Sequence, residues 1–299
     1  MAEPRVLGAL DTPISWRDYI TLCKPNVVLV MLITAAVGMF VAVPELPDPI
    51  KVVAGLIGIG MAAASAAAVN HVMDRKIDEK MARTKGRPLP QGRLSPIQAL
   101  TFSAVVGTLG IALLVVLVNA LTAWLTLASL VGYALVYTVW LKRATPQNIV
   151  IGGIAGAAPP MLGWTAITGT LDPNSLLLML IIFAWTPPHF WALCIARKQD
   201  YAKAGIPMLP VTHGDAYTQL QIVLYTLLMV ATTALPFLSG MSSYLYLGLV
   251  VLLNLRFMQW AWRVYQAQPG APMAMFRYSI TYIMLLFCAI LLDHYLIIG

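Results

Sequence analysis

The sequence predicts an all-α membrane protein that crosses the bilayer nine times. The first observation is composition: of 299 residues, 60% are hydrophobic and only 10% are charged, whereas soluble domains carry about 25% charged residues. The second is the spacing of the charges, which leaves repeated uncharged runs long enough for transmembrane helices of about 20 residues. This composition excludes a soluble, disordered, collagen-like or disulfide-stapled chain, and such long apolar runs argue against a membrane β-barrel.

The spans follow from the gaps between charged residues, and two long gaps must be divided. Asn119 divides the first, and the turn-forming residues Pro236 and Gly240 divide the second. We treat residues 1–24 as an N-terminal tail and residues 25–299 as a single nine-helix domain. The predicted spans lie near residues 26–44, 51–71, 97–117, 121–141, 148–168, 174–195, 218–238, 244–263 and 277–298.

The basic residues predict the orientation. With nine spans, every Lys and Arg except Lys51 lies on, or nearest to, the side of the N-terminus. Because cytoplasmic loops are enriched in Lys and Arg, we expect a cytoplasmic N-terminus and an outside C-terminus. The first 25 residues contain acids and no apolar core, so we expect no signal or transit peptide. We expect a bacterial inner membrane protein without a nucleic-acid partner. The basic cytoplasmic loops account for much of the net charge of +7.

The connection after the second span carries the most informative pattern. Asn70, Asp74 and Asp78 are spaced four apart, so a helix would present all three on one side. Magnesium prefers such hard oxygen ligands and commonly bridges one or two carboxylates to a substrate phosphate. The same stretch holds six cations suited to phosphate oxygens: Arg75, Lys76, Lys80, Arg83, Lys85 and Arg87. Cytoplasmic loops are basic in most membrane proteins, so the spacing is compatible both with a magnesium diphosphate site and with an ordinary cytoplasmic loop.

A second basic connection follows the sixth span and contains Lys198, Asp200 and Lys203. The span before it contains paired prolines, which free backbone carbonyls and are tolerated where the backbone lines a cavity. His189 follows these prolines directly, and a polar residue inside a membrane is a functional candidate. A histidine bonded to a neighbouring helix is the alternative. A polar group at the end of the fourth span, with Lys142 in it, is also typical of an interfacial belt.

Taken together, these strings resemble the intramembrane aromatic prenyltransferase superfamily and, within it, the branch of the haem O synthases (protohaem IX farnesyltransferases). The resemblance covers nearly the whole chain and rests on four motifs. They are Asn70-x-x-x-Asp74-x-x-x-Asp78 with its continuation to Arg87-Pro88, Ala158-Pro159-Pro160-x-x-Gly163-Trp164, Trp185-x-Pro187-Pro188-His189-Phe190, and Asp200-Tyr201-x-x-Ala204-Gly205-Ile206-Pro207.

The chain departs from the wider superfamily at three positions. His71 stands where the superfamily often has an acid, and Ala204 stands where a second aspartate usually follows Asp200. Tyr137 and Lys142 are one residue further apart than the superfamily's Tyr-x-x-x-Lys element. The second connection therefore offers one carboxylate where two are usual. In these three positions the chain resembles the haem branch, which favours that branch over prenyltransferases that act on quinone precursors.

The resemblance implies transfer of farnesyl from farnesyl diphosphate to a vinyl group of haem B, with Mg²⁺ as cofactor. It implies catalytic roles for Asn70, Asp74, Asp78 and Asp200, of which the first three would hold the metal. His189 is our first candidate for the haem ligand and His71 the second. The candidates that would neutralise the diphosphate are Arg75, Lys76, Arg83, Arg87, Lys142, Lys198 and Lys203.

Two alternatives stay open at this stage. One is a prenyltransferase acting on an aromatic quinone precursor, and the other is a membrane transporter. Ion-coupled transporters usually place ionisable groups at mid-membrane, whereas here the charges crowd one surface. The expected partners are farnesyl diphosphate, haem B, the lipid bilayer and a haem-modifying enzyme. The sequence does not determine the oligomeric state.

Overall fold

The computed structural model describes residues 15–298, and this range contains helices and turns but no β-strand. A single extra turn, Lys142–Ala144, follows the fifth helix. The helices are α1 (Trp16–Leu22), α2 (Pro25–Phe40), α3 (Pro49–Asp78), α4 (Pro96–Leu117), α5 (Ala120–Leu141), α6 (Asn148–Thr168), α7 (Pro173–Ala196), α8 (Lys198–Lys203), α9 (Leu209–Thr212), α10 (Gly214–Leu238), α11 (Tyr244–Tyr265) and α12 (Ala271–Ile297).

The predicted polytopic, all-α fold class is confirmed. Eight of the described helices are long and apolar enough to cross a membrane, and there are up to nine if α1 and α2 form one bent span. The two divisions of long apolar runs are also confirmed, because α4 and α5 separate at Asn119 and α10 and α11 separate around Gly240. The chain is therefore a multi-pass membrane protein.

The first two spans differ from expectation. α2 has only 16 residues, and it joins α1 at a bend of 54°. α3 has 30 residues and continues to Asp78, well beyond the expected end near residue 71. It stays helical because its last polar residues are buried and paired, so the backbone does not need to break to reach water.

Local sequence signals start most of these helices. Ser15 and Ser95 each form a capping box with the residue three positions later. Asp48, Asn119 and Asp172 each accept a hydrogen bond from the backbone two or three residues ahead. A proline follows Asp48, Ser95 and Asp172 as the first helical residue, where its missing N–H costs nothing.

The boundary of the N-terminal tail stays a prediction. Its first fourteen residues lie outside the described range, whereas α1 falls within the expected tail and is folded against the rest of the chain. Asp18 of α1 is buried and accepts a hydrogen bond from Arg93 Nε at 3.0 Å. This ion pair fixes α1 to the connection between α3 and α4.

Two glycines bring α2 and the second half of α6 into backbone contact. A Cβ added to Gly163 would overlap the carbonyl oxygen of Ala35, and a Cβ added to Gly38 would overlap the carbonyl oxygen of Pro160. Membrane helices gain little from the hydrophobic effect against lipid, so such close approaches supply much of their packing energy. The motif around Gly163 therefore has a packing role.

Buried polar contacts join the later helices at mid-membrane. Asn254 of α11 donates to Thr233 Oγ1 of α10 at 2.9 Å and accepts from the Tyr282 hydroxyl of α12 at 2.6 Å. At one end of α12, the fully buried Asp293 accepts from the backbone N–H groups of Ser243 and Tyr246. A carboxylate is favourable there because it faces the start of α11. These helices contribute to the largest apolar cluster of the described residues, which α7 shares with them.

Candidate active site

The end of α3 carries the three motif residues in the geometry that their spacing predicts. Asn70, Asp74 and Asp78 lie on consecutive turns and are only 3–4% exposed. Asn70 Nδ2 donates to Asp74 Oδ2 at 3.0 Å, which links the first two side chains. Two buried carboxylates one turn apart repel each other unless cations lie close to them.

Three cations from three different segments supply that charge. Lys142 Nζ lies 2.5 Å from Asp74 Oδ2, and Arg87 Nη1 lies 2.7 Å from Asp78 Oδ2. Lys24 Nζ donates to Asn70 Oδ1 at 2.5 Å. The structure therefore brings together Asn70, Asp74, Asp78, Arg87 and Lys142, all of which the sequence nominates, and adds Lys24, which sequence analysis missed.

Lys24 reaches the site because of the bend between α1 and α2. Its backbone has φ 49° and ψ 59°, the left-handed region that non-glycine residues rarely adopt. Such a conformation persists only where the surroundings impose it, and here the Asp18–Arg93 pair holds α1 on one side of the bend. A lysine directly before a helix-starting proline was the available signal, and it is a weak one.

The connection after α3 is folded back on the motif. Thr84 is buried, and its hydroxyl donates to the Asp78 carbonyl at 3.0 Å. Arg93 Nη2 donates to the Gly86 carbonyl at 3.2 Å while its Nε holds Asp18. These contacts turn the chain so that Arg87 returns to Asp78, nine residues earlier.

A widened helical segment places Lys142. The end of α5, Gly132–Leu141, is π-helical, a distortion frequent at functional sites. Thr138 Oγ1 donates to the Tyr133 carbonyl at 2.8 Å and lies 3.4 Å from Asn70 Nδ2. The extra residue in this turn compensates for the longer spacing between Tyr137 and Lys142, so that the lysine still reaches Asp74.

The oxygen-rich end of α3 fits a hard divalent cation. Asp74 Oδ1 is buried and has no hydrogen-bond partner among residues 15–298, so one carboxylate oxygen remains available. Within the same range, no cluster of three His, Cys, Asp or Glu residues is placed to hold a metal. The protein can thus supply only part of a coordination sphere, as magnesium sites completed by phosphate and water require.

The charged residues of the second connection form ion pairs with residues outside the α3 motif. Lys198 Nζ pairs with Asp215 Oδ1 at 3.0 Å, and Asp200 Oδ2 lies 3.9 Å from Arg197 Nη1. Lys203 is exposed. None of Lys198, Asp200 and Lys203 has a hydrogen bond or ion pair to the α3 motif within the described part of the chain. Their predicted roles remain predictions.

Tyr201 is a buried polar residue of this second connection, and sequence analysis did not single it out as a functional residue. It is 5% exposed and packs in the main apolar core with Met81 of the first connection. Burial, with a smaller effect of Cys194, raises the pKa of the Tyr201 hydroxyl, while the Arg83 guanidinium opposes this. The hydroxyl therefore stays protonated at neutral pH and can donate a hydrogen bond.

The remaining basic candidates have no carboxylate partner in the described structure. Arg75 is half-buried, whereas Lys76 and Arg83 are exposed. Their positive charges are not neutralised by neighbouring acids, so an anion that arrives at this end of the bundle meets a surplus of cations.

His189 lies in α7, which continues through Pro187 and Pro188. Its ring stacks between Trp185 and Phe276, with centroid distances of 4.2 and 4.7 Å. Nδ1 lies 2.5 Å from Ser279 Oγ of α12, and no described residue forms a hydrogen bond with Nε2. A fixed Nδ1 and an unengaged Nε2 is the arrangement expected of a ligating histidine.

His71 is placed less favourably. It is 1% exposed, and neither ring nitrogen has a hydrogen-bond partner within residues 15–298. It is offset from the Asn70 face by one residue, about 100° around the helix. Both haem assignments remain predictions.

With this geometry in place, comparison with known proteins decides the family. The profile of the UbiA prenyltransferase family matches residues 31–291. The chain belongs to the UbiA prenyltransferase family. The match spans α3 and its motif, so the carboxylates lie inside the region that the family model covers.

Two relatives and one solved structure set this UbiA family member in context. The chain is 58% identical over 282 residues, 94% of each chain, to the protoheme IX farnesyltransferase of Hahella chejuensis (strain KCTC 2396). It is 59% identical over 286 residues, 95% of this chain and 96% of the other, to protoheme IX farnesyltransferase 1 of Pseudomonas putida (strain GB-1). A UbiA homologue from Archaeoglobus fulgidus bound to GPP and Mg²⁺ has a TM-score of 0.67 at 18% identity, covering 91% of this chain and 99% of its own.

Proposed function

We propose that this chain transfers a farnesyl group from farnesyl diphosphate to a vinyl group of haem B, giving haem O for haem–copper oxidase assembly. The near-full-length identity to protoheme IX farnesyltransferases supports this reaction. The single structural observation that carries it is the buried Asn70–Asp74–Asp78 face with three cations within hydrogen-bonding distance. That combination suits a diphosphate that arrives with a divalent metal.

The substrate's allylic carbon–oxygen bond breaks, and its electron pair leaves with the diphosphate. Asp74, Asp78 and Asn70 would hold Mg²⁺, which when bound supplies Lewis-acid stabilisation of the leaving group. Lys24, Arg87 and Lys142 would bind the diphosphate oxygens, because their charges already point into the site and need little reorganisation. Arg75, Lys76, Arg83, Lys198 and Lys203 are the outer cations of the same proposal, and Asp200 is the acid of the second connection.

The vinyl group of haem then supplies the π electrons that form the new carbon–carbon bond. The positive charge that results is captured by water, which loses a proton and leaves the hydroxyl group of haem O. The apolar majority of the chain limits access of water to the allylic carbon before this step. No side-chain nucleophile is required.

We also place the active site at the cytoplasmic side of a bacterial inner membrane. The helices alternate in direction, so the α3 motif, the α5–α6 and α7–α10 connections and the start of α2 share one end of the bundle. That end holds nearly all Lys and Arg residues, as expected for a cytoplasmic face. A haem-modifying enzyme remains the predicted partner that would receive the product.

The function is tested directly with purified protein, haem B, farnesyl diphosphate and MgCl₂. We expect mass spectrometry of the extracted haem to show addition of one farnesyl group and one water. A parallel reaction with 4-hydroxybenzoate serves as the alternative acceptor. Farnesylated benzoate together with unmodified haem would instead identify a prenyltransferase of quinone precursors.

Lys24→Met tests the cation that only the structure reveals. A hydrogen bond to a charged group contributes about 1.5–3 kcal/mol, so we expect the KM for farnesyl diphosphate to rise about tenfold or more. The inhibition constant of inorganic diphosphate should rise in parallel, which reports diphosphate binding separately from kcat. Lys51→Met is the matched control at the opposite end of the bundle. Unchanged KM and unchanged inhibition would remove Lys24 from the site.

His189→Ala tests the haem-binding proposal. We expect the mutant to lose the Soret band typical of imidazole-ligated haem, and added imidazole should restore part of it. His213→Ala is the control, because the exposed His213 side chain contacts its near neighbours Thr212 and Tyr217. An unaltered Soret band in His189→Ala would exclude this histidine as the ligand.

A further inference from the structure

One face of α11 carries two arginines around a tryptophan, away from the active site. Arg256, Trp260 and Arg263 are spaced four and three residues apart, so they lie on one side of the helix. The guanidinium carbon of Arg256 lies 5.1 Å from the Trp260 ring centroid, and that of Arg263 lies 4.8 Å from it. Both guanidinium groups therefore contact the same tryptophan ring, which places two positive charges close together.

This face is turned toward the membrane. Arg256 is exposed, and its apolar neighbours Leu252 and Leu255 are 66% and 65% exposed. Arg256 lies nine residues before Tyr265, the end of α11 on the active-site side, which is about 14 Å at 1.5 Å per residue. A guanidinium at that depth is costly unless it reaches toward the interface or meets an anion.

The Arg256 side chain reaches toward the active-site end of the helix. Its Nη1 donates to Gln259 Oε1, one turn further along, and its guanidinium lies over Trp260 in the next position. Side chains in a helix normally lean toward its N-terminus, so this orientation is the reverse of the default. It shortens the distance between the charge and the lipid headgroups.

Neither arginine has a carboxylate partner. Among residues 15–298, no acidic oxygen lies within salt-bridge distance of Arg256 or Arg263. Of the acids in the spanning helices α3, α10 and α12, Asp74, Asp78 and Asp293 are buried, and Asp215, at the first turn of α10, pairs with Lys198. A second copy of the chain therefore offers no mid-membrane carboxylate to this face.

We propose that Arg256, Trp260 and Arg263 form a binding site for the phosphate of an anionic phospholipid. The lipid supplies the negative charge that the protein does not, and its acyl chains would lie against Leu252 and Leu255. Two guanidiniums can each donate two hydrogen bonds to phosphate oxygens. Their fixed positions on either side of Trp260 reduce the entropy lost when the lipid binds.

The test compares lipid binding to the full chain and to Arg256→Gln/Arg263→Gln. The protein is equilibrated with phosphatidylglycerol or phosphatidylcholine in detergent, and retained lipids are counted by native mass spectrometry. An arginine that contacts the phosphate of an anionic lipid contributes about fivefold to its binding, so we expect the double mutant to hold phosphatidylglycerol about 25-fold more weakly. Phosphatidylcholine binding should change little.

Arg17→Gln is the matched control, because Arg17 also lies over a tryptophan, Trp16, at 5.7 Å. It should leave phosphatidylglycerol binding unchanged, and all variants are checked for folding by their melting temperature. Equal retention of phosphatidylglycerol by wild type and double mutant would overturn the proposal. So would displacement of the lipid by millimolar inorganic phosphate, or loss of a dimer as the only effect of the double substitution.

Discussion

Asp74→Asn is expected to slow farnesyl transfer about a thousandfold or more while leaving haem binding intact. Asp74 is the central oxygen donor of the motif, bonded to Asn70 and Lys142 and carrying one unpaired buried oxygen. Charge stabilisation of a leaving group by a bound metal contributes several kcal/mol, and each 1.36 kcal/mol corresponds to tenfold in rate. The measurement is single-turnover formation of haem O at saturating MgCl₂.

Stability must be separated from chemistry in this experiment. Removing the Asp74 charge leaves Lys142 buried without its partner, which typically costs about 3–5 kcal/mol. The double mutant Asp74→Asn/Lys142→Met removes both charges and is expected to recover most of that stability without recovering activity. Glu45→Gln is the control carboxylate, since Glu45 is exposed and lies between α2 and α3, at the opposite end of the bundle. Substantial turnover by Asp74→Asn would exclude Asp74 as an essential metal ligand.

Gly163→Ala is expected to destabilise the protein by about 1–3 kcal/mol, the cost of overpacking a close-packed contact. Its new Cβ would overlap the Ala35 carbonyl oxygen, which is backbone and cannot move aside as a flexible side chain could. α2 would have to shift away from α6, and the loss would be measured as a lower melting temperature in detergent.

Gly156→Ala is the matched control in the same helix. Among residues 15–298, a Cβ at Gly156 would meet no atom within 4 Å other than those of its chain neighbours and its own helix backbone. Alanine is also the better helix former by about 1 kcal/mol. We expect this variant to melt at the same temperature as wild type or slightly higher. Equal melting temperatures for Gly163→Ala and Gly156→Ala would show that α2 and α6 are not held by backbone contact.

Much of the site was predictable because it lies within one helix. The four-residue spacing of Asn70, Asp74 and Asp78 sets their common face whatever the rest of the fold does. The nearby Arg87 was also nominated, since it follows within ten residues. Lys142 was named as a candidate because it belongs to a polar cluster. Its pairing with Asp74, 68 residues away, could not be predicted from the sequence.

The sequence did not reveal Lys24, and the reason is physical. Its partner Asn70 lies 46 residues away, and contact depends on a left-handed residue at a 54° bend. The pairing of Asp18 with Arg93, 75 residues apart, holds α1 on one side of this bend, and no local pattern encodes that pairing. The π-helical segment before Lys142 could not be predicted either, because sequence patterns with the α-helical period of 3.6 residues do not reveal it.

The sequence by itself determined the membrane class, the approximate positions of the eight long spanning helices and the carboxylate face of α3. These properties follow from runs of apolar residues and from helical spacing, which are local along the chain. The tertiary structure alone decided which cations meet that face, that Tyr201 packs with Met81 of the first connection, and that Gly38 and Gly163 join two helices. These contacts depend on how distant segments pack. A buried charge loses its hydration and is stable only where packing brings an opposite charge or a hydrogen-bond partner close to it.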